Sequence, residues 1–134
     1  MDEARVSELV IGYTAYLLTG LALLAGFFVV YTRLTPYDER QRIRDGNVAV
    51  AVFFSGAMIG FTATIASGIL SHAHYGSFVA WSLVALVVQL LVYAVMQRMF
   101  PNLQDALESG NLAVGMLGGA AALSAGLINA ACVF

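Results

Sequence analysis

Charged residues are scarce in this sequence, lysine is absent, and only one cysteine and two prolines occur. Charged side chains make up 10% of the chain, against about a quarter in ordinary globular proteins. Hydrophobic residues make up 60%, which is more apolar surface than a soluble fold of this length can bury. The single cysteine, Cys132, excludes an intrachain disulfide. The basic residues are all arginine, and the net charge of −2 provides no basic surface for nucleic acid.

Three long segments carry no charged residue, namely residues 9–32, 46–97 and 109–134. A helix of about 20 apolar residues crosses the hydrocarbon core of a membrane. The first and third segments fit one crossing each, and the middle segment fits two because the polar stretch 71–77 interrupts it. The sequence therefore predicts an all-α membrane protein with four transmembrane helices. These helices are expected at about residues 10–31, 47–70, 78–97 and 111–133.

The distribution of arginine predicts the orientation in the membrane. All arginines except Arg5 lie in the two connections 33–45 and 98–108, whereas the 71–77 connection and the C-terminal segment have none. Cytoplasmic loops of membrane proteins carry an excess of basic residues. Both arginine-bearing connections are therefore expected in the cytoplasm, and the N- and C-termini are expected outside, in the periplasm.

Two short motifs occur twice and in the same order. Arg-x-x-Pro occurs at 33–36 and 98–101, and Gly-Asn-x-Ala occurs at 46–49 and 110–113. Each repeating unit would contain two crossings and return the chain to its starting side, so the two helical-hairpin repeats are expected to be parallel and related by a pseudo-two-fold axis along the membrane normal. The predicted repeats are residues 1–70 and 71–134.

Both copies of Gly-Asn-x-Ala place an asparagine where a transmembrane helix begins. The structural interpretation of Asn47 and Asn111 is that each caps the following helix. The functional alternative places them side by side at a cytoplasmic vestibule, and Asn129, five turns after Asn111, would extend them into a polar seam. Gln89 is the other strongly polar side chain at depth, where an interhelical hydrogen bond explains it.

The second and fourth transmembrane helices carry small residues along one face. The Gly-x-x-x-Gly spacing lets two helix backbones approach closely, so that van der Waals contacts hold them together in lipid. This pattern favours helix packing, either within the bundle or between protomers, and a pore wall is the less favoured alternative. The predicted packing residues are Gly56, Gly60, Gly115, Gly119, Ala122 and Gly126.

The connections are expected to hold short interfacial helices that begin with Pro36 and Pro101, because proline suits a first helical turn. The first connection carries arginines that could dock peripheral cytoplasmic proteins. These predicted docking residues are Arg40, Arg42 and Arg44.

The sequence contains no recognised catalytic motif and no charged residue within a predicted span. Proton relays, voltage sensors and ion-coupled transporters usually carry such a charge, so these mechanisms are disfavoured. His72 and His74 could supply two metal ligands, but no Cys, Asp or Glu accompanies them in the 71–77 connection, and interfacial histidines are the favoured interpretation. No cofactor, metal or enzymatic activity is expected.

The duplicated Arg-x-x-Pro and Gly-Asn-x-Ala motifs, in a four-helix chain of this length, resemble the YjfL family of small bacterial inner-membrane proteins. The resemblance covers nearly the whole chain and implies a multi-pass protein of the bacterial inner membrane. The second copy departs from the first, with Ser109 in place of Asp45 and Gly115 in place of Ala51. Members of the family are linked with membrane-stress proteins and with peptide-ligating ATP-grasp enzymes, which implies partners and leaves the mechanism open.

Two functional hypotheses follow. The leading one is a non-enzymatic membrane subunit or scaffold, linked by the resemblance to membrane stress or envelope maintenance. Besides the lipid bilayer, its partners would be further copies of itself or other subunits of a membrane complex, joined through the small-residue helix faces. The alternative is a homo-oligomeric channel or passive conduit lined by the asparagine seam.

Overall fold

The computed structural model describes residues 2–71 and 73–133, and in these two segments every regular element is a helix. Four of the six helices are long and apolar enough to cross a membrane, which confirms the predicted all-α, four-span class. The other two are short helices in the arginine-bearing connections. The helices are α1 (Glu3–Leu34), α2 (Glu39–Arg44), α3 (Val48–Leu70), α4 (Tyr75–Met99), α5 (Leu103–Glu108) and α6 (Leu112–Val133).

Helix α3 forms the centre of the bundle. It packs most extensively against α6, and it also contacts α4 and α1. Its buried residues are distributed over every turn and include Phe53, Phe54 and Phe61, which pack against aromatic side chains of α1 and α4. A helix that is apolar on all sides is suited to such a position, because neighbours surround it.

Helix α1 lies at the periphery, with only Gly20, Phe27 and Tyr31 buried. Its 32 residues correspond to about 48 Å, which exceeds the hydrocarbon thickness of about 30 Å. The helix begins earlier than the expected residue 10 because the Asp2 side chain accepts a hydrogen bond from the Arg5 N–H at 2.9 Å and caps it. The first turns therefore extend beyond the apolar core of the membrane.

Small residues bring the backbones of α3 and α6 into contact. A methyl group on Gly115 would lie 2.5 Å from the Ala49 carbonyl oxygen, and one on Gly119 would lie 2.6 Å from the Val52 carbonyl oxygen. Real methyl carbons stay beyond 3.0 Å from such atoms, so no side chain fits between the two helices at these points. A methyl group would meet backbone atoms of the facing helix equally closely at Gly56, Gly60 and Gly126.

The predicted small-residue faces are therefore occupied within the chain, each by the other. Of the two arrangements that the sequence left open, packing within the bundle is the one that these faces make, and the facing backbone fills the space that a partner helix would need. The outer side of α6, including Met116, Leu117 and Ile128, is exposed instead. Assembly of several chains would have to use this or another surface.

Matching turns end the two short helices. Gly46 and Gly110 have φ values of 84° and 85°, the left-handed conformation that glycine adopts without strain. The N–H groups of Asn47 and Asn111 then donate to carbonyl oxygens five residues back, each at 2.9 Å. These bonds complete the usual glycine C-cap of α2 and α5, and the chain then continues directly into α3 and α6.

Pro36 does not lie in the first turn of α2, as the sequence suggested. Asp38 is the N-cap, and its side chain accepts the Gln41 N–H at 3.2 Å. Likewise, Pro101 precedes Asn102, the N-cap of α5. Helix α2 begins after Asp38 because the accepting side chain satisfies a free N–H group, whereas proline only lacks such a group. The Asn102 side chain makes no such bond at the start of α5.

Candidate functional site

The arginine end of the bundle, formed by residues 33–47 and 98–111, is a folded cap rather than a pair of loose loops. Asn47 joins its two halves. The Asn47 side-chain oxygen accepts the Val50 N–H at 3.1 Å and so caps α3, while its amide nitrogen donates to the carbonyl oxygens of Leu107 at 2.8 Å and Glu108 at 3.1 Å. One side chain thus satisfies the start of α3 and the end of α5.

An ion pair also crosses the cap. Arg42 on α2 contacts Glu108 on α5 at 3.2 Å, and both side chains are partly exposed. It is the only ion pair among residues 2–71 and 73–133. Of the three predicted docking residues, Arg42 is therefore engaged inside the chain, whereas Arg40 and Arg44 are exposed.

Glu39, the first residue of α2, is buried with 1% of its surface exposed. The Thr35 hydroxyl donates a hydrogen bond to its carboxyl group. The carboxyl oxygen Oε2 has no hydrogen-bond partner within the described part of the chain. Burial raises the pKa of Glu39 above its usual value, and the bonds from Thr35 and from the backbone only partly oppose this effect.

Three buried tyrosines lie near Glu39. Together with Thr35 and Glu39 they form the Glu39 cluster (Tyr31, Thr35, Tyr37, Glu39 and Tyr93). The Tyr31 and Tyr93 rings meet edge to face, with centroids 6.4 Å apart. The hydroxyl groups of these two tyrosines are buried and lack a hydrogen-bond partner in the segments that the structure describes. Burial also raises the pKa of Tyr37, and the neighbouring Tyr31, Tyr93 and Glu39 act in the same direction.

This cluster favours the neutral form of the Glu39 carboxyl group. The sequence did not predict it. Glu39 follows Asp38 at the start of a short helix, where both read as solvent-exposed charges that complement the helix dipole. The one local signal is Thr35, four residues before Glu39, and it does not distinguish a buried carboxyl group from an exposed one.

The predicted polar seam is not continuous. Asn111 is exposed and caps α6 through the Val114 N–H at 3.3 Å. Asn129 donates to the Thr64 hydroxyl of α3 at 2.9 Å, far along the bundle from the cap. Because the α3 and α6 backbones touch between these positions, the asparagines line no open path within one chain. Within the chain, these asparagines therefore act as separate helix caps and interhelical bonds, which is the structural interpretation that the sequence offered.

Gln89 and His74 also have structural contacts. The buried Gln89 amide of α4 donates to the Ala122 carbonyl oxygen of α6 at 3.0 Å, as expected for an interhelical bond in lipid. The His74 ring nitrogen Nδ1 accepts the Gly76 N–H at 3.2 Å at the start of α4. His72 lies outside the described residues. No group of three or more His, Cys, Asp or Glu able to hold a metal occurs in the described segments.

Comparison with known proteins gives matches over nearly the whole chain. A family model described as Domain of Unknown Function (DUF350) matches residues 5–133. The chain is 34% identical over 129 residues to the UPF0719 inner membrane protein YjfL of Escherichia coli (strain K12), covering 96% of this chain and 98% of that protein. It is 26% identical over 119 residues to the UPF0719 transmembrane protein YshE of Bacillus subtilis (strain 168), covering 87% and 88%. No solved structure matches significantly. The resemblance drawn from the duplicated motifs is confirmed.

Proposed function

Because the chain belongs to the DUF350 family, whose named relatives are membrane proteins without a stated activity, we propose that it is a non-enzymatic inner-membrane subunit. Its arginine end holds a peripheral cytoplasmic protein with an acidic surface. The observation that carries this proposal is the cap itself. Asn47 joins the start of α3 to the end of α5, and the Arg42–Glu108 pair joins α2 to α5, so the surface is formed before a partner arrives.

The exposed arginines of this cap that make no ion pair support an acidic partner. Arg40 and Arg44 are four residues apart on α2, hence on one side of it, and both are exposed. Arg33 and Arg98 are exposed as well, at the last turns of α1 and α4. A surface with several unpaired guanidinium groups attracts acidic proteins and selects against basic ones. The link to membrane stress or envelope maintenance rests on the family resemblance and concerns the identity of the partner.

The orientation of the chain is part of this proposal and has its own test. Single cysteines at Asp45 and Ser77 in a Cys132→Ser background are treated on intact cells with a membrane-impermeant thiol reagent. We expect labelling at Ser77→Cys, and labelling at Asp45→Cys only after the cells are opened. Labelling of Asp45→Cys in intact cells would place the arginine end outside and refute a cytoplasmic partner.

A photo-crosslinking residue in place of Ile43, which is exposed on α2, tests the docking surface in native membranes. The matched control carries the same residue in place of Ser77, at the opposite end of the bundle. We expect adducts from position 43 that disappear in the Arg40→Glu, Arg44→Glu variant and at high salt. Adducts that survive the charge reversal, or that consist only of two copies of this chain, would contradict the proposal.

A further inference from the structure

A groove of about 450 Å³ lies beside the last turns of α1, where the chain bends towards α2. Its walls have two chemical characters. Phe28 and Val29 supply an apolar side, and Arg33 and Arg40 supply guanidinium groups from either side of the bend. Thr32 also lines the groove, but its hydroxyl already donates to the Phe28 carbonyl oxygen at 2.7 Å.

The groove carries a positive charge that the chain does not neutralise. Neither Arg33 nor Arg40 makes an ion pair with any residue that the structure describes. One carboxylate, Asp38, also lines the groove; it accepts the Gln41 N–H as the N-cap of α2 and keeps its negative charge, so the two arginines outnumber the acidic groups of the groove by one. Two guanidinium groups therefore remain available to an anion.

The groove lies at the boundary between hydrocarbon and headgroups. The charge-free segment 9–32 ends directly before Arg33, so Phe28 and Val29 lie at the depth of acyl chains and Arg33 lies at the depth of phosphates. A guanidinium group matches the geometry of phosphate oxygens and forms paired hydrogen bonds with them. Basic pockets at this depth are suited to anionic headgroups.

From these observations we infer that the groove binds one anionic phospholipid, with its headgroup phosphate between Arg33 and Arg40 and an acyl chain along Phe28 and Val29. This inference does not depend on the proposed docking of a peripheral protein; with the lipid in place, Arg33 and Arg40 hold the phosphate, and Arg44 and Arg98 are left for the protein. The occupant is a lipid rather than a soluble phosphate because the apolar wall continues from the arginines towards the membrane interior.

The second connection provides an internal comparison. Arg98 matches Arg33 in the repeated Arg-x-x-Pro motif, but the following segment 102–108 contains no arginine and carries Asp105 and Glu108 instead. A single guanidinium group followed by two carboxylates does not favour an anion. Lipid retention is therefore expected at the first connection and not at the second.

The test is native mass spectrometry of the purified full chain, titrated in detergent with phosphatidylglycerol or with phosphatidylcholine. The variant is Arg33→Gln, Arg40→Gln, and the matched control is Arg44→Gln, Arg98→Gln, which removes the same charge from outside the groove. We expect one tightly retained phosphatidylglycerol in the wild type and in the control. We expect retention of phosphatidylglycerol to fall by about 25-fold in the groove variant, because each of the two arginines contributes about fivefold to the affinity.

Three results would overturn the inference. The first is an equal loss of phosphatidylglycerol in the groove variant and in the control. The second is equal retention of phosphatidylcholine and phosphatidylglycerol by the wild type. The third is displacement of the bound lipid by millimolar inorganic phosphate. The first would indicate general surface charge, and the third a site for soluble phosphate. Since all four arginines are exposed, the variants are expected to fold, and their elution as the same species in size-exclusion chromatography checks this.

Discussion

A single methyl group at Gly56 should destabilise the bundle strongly. The methyl carbon of Gly56→Ala would lie 2.5 Å from the Cα of Gly119 and 2.6 Å from its carbonyl carbon, whereas carbon atoms pack at about 3.5–4.0 Å. Helices α3 and α6 would have to separate by roughly 1 Å, which forfeits a quarter to a half of the dispersion energy along their contact. The separation would also stretch the Asn129–Thr64 hydrogen bond between them.

We expect a loss of about 2–4 kcal/mol for Gly56→Ala, which combines about 1–3 kcal/mol for overpacking with about 0.6 kcal/mol for a weakened interhelical bond. Gly26→Ala on α1 is the matched control, because a methyl group there would meet no atom within 4 Å. The control should be neutral or slightly stabilising, since alanine favours helix over glycine. The assay is reversible unfolding in mixed micelles, followed by circular dichroism. Equal unfolding midpoints for the two variants would refute the close contact of the two backbones.

Three further substitutions test separate parts of the structure by the same assay. Glu39→Gln should become more stabilising as the pH rises above the ordinary pKa of a glutamate, because burial raises the pKa of the Glu39 carboxyl group in the folded state and the wild type loses stability as that group ionises; parallel pH profiles would exclude this. Asn47→Ala should cost about 1–2 kcal/mol more than Asn111→Ala, since both lose a cap but only Asn47 also satisfies α5; equal losses would contradict the bridging role. Gln89→Leu should cost less than about 1 kcal/mol, the value of one interhelical bond, and a larger loss would show that its amide does more.

The four crossings could be predicted from the sequence because the relevant signal is local. Hydrocarbon requires a continuous apolar helix, and the charge-free segments report that requirement directly. The starts of α3 and α6 could be predicted for the same reason. Each helix begins after a Gly-Asn pair, and the turn and cap at that pair involve only neighbouring residues. The parallel arrangement of two repeats stays a prediction from the duplicated motifs.

The partners of individual side chains could not be predicted, because they depend on which helices become neighbours. Gly-x-x-x-Gly spacing on α3 and α6 indicated two surfaces for close approach but did not indicate that they face each other. Asn129 and Thr64 are 65 residues apart in sequence, and neither is unusual in its own segment. Glu39 reads as an exposed charge because its burial requires tyrosines from α1 and α4 to converge on it.

The two connections differ in charge, and this difference explains how the cap forms and what it leaves exposed. The first connection carries arginines along α2, whereas α5 carries Asp105 and Glu108 and no basic residue. If both helices were basic, they would repel each other at the membrane surface; as it is, Arg42 of α2 pairs with Glu108 of α5. Because α2 has more basic residues than α5 neutralises, Arg40 remains unpaired. The same charge asymmetry that closes the cap within the chain therefore leaves arginines of α2 without an ion pair in the described segments, and these are the groups available to the anionic lipid and the acidic protein surface inferred above.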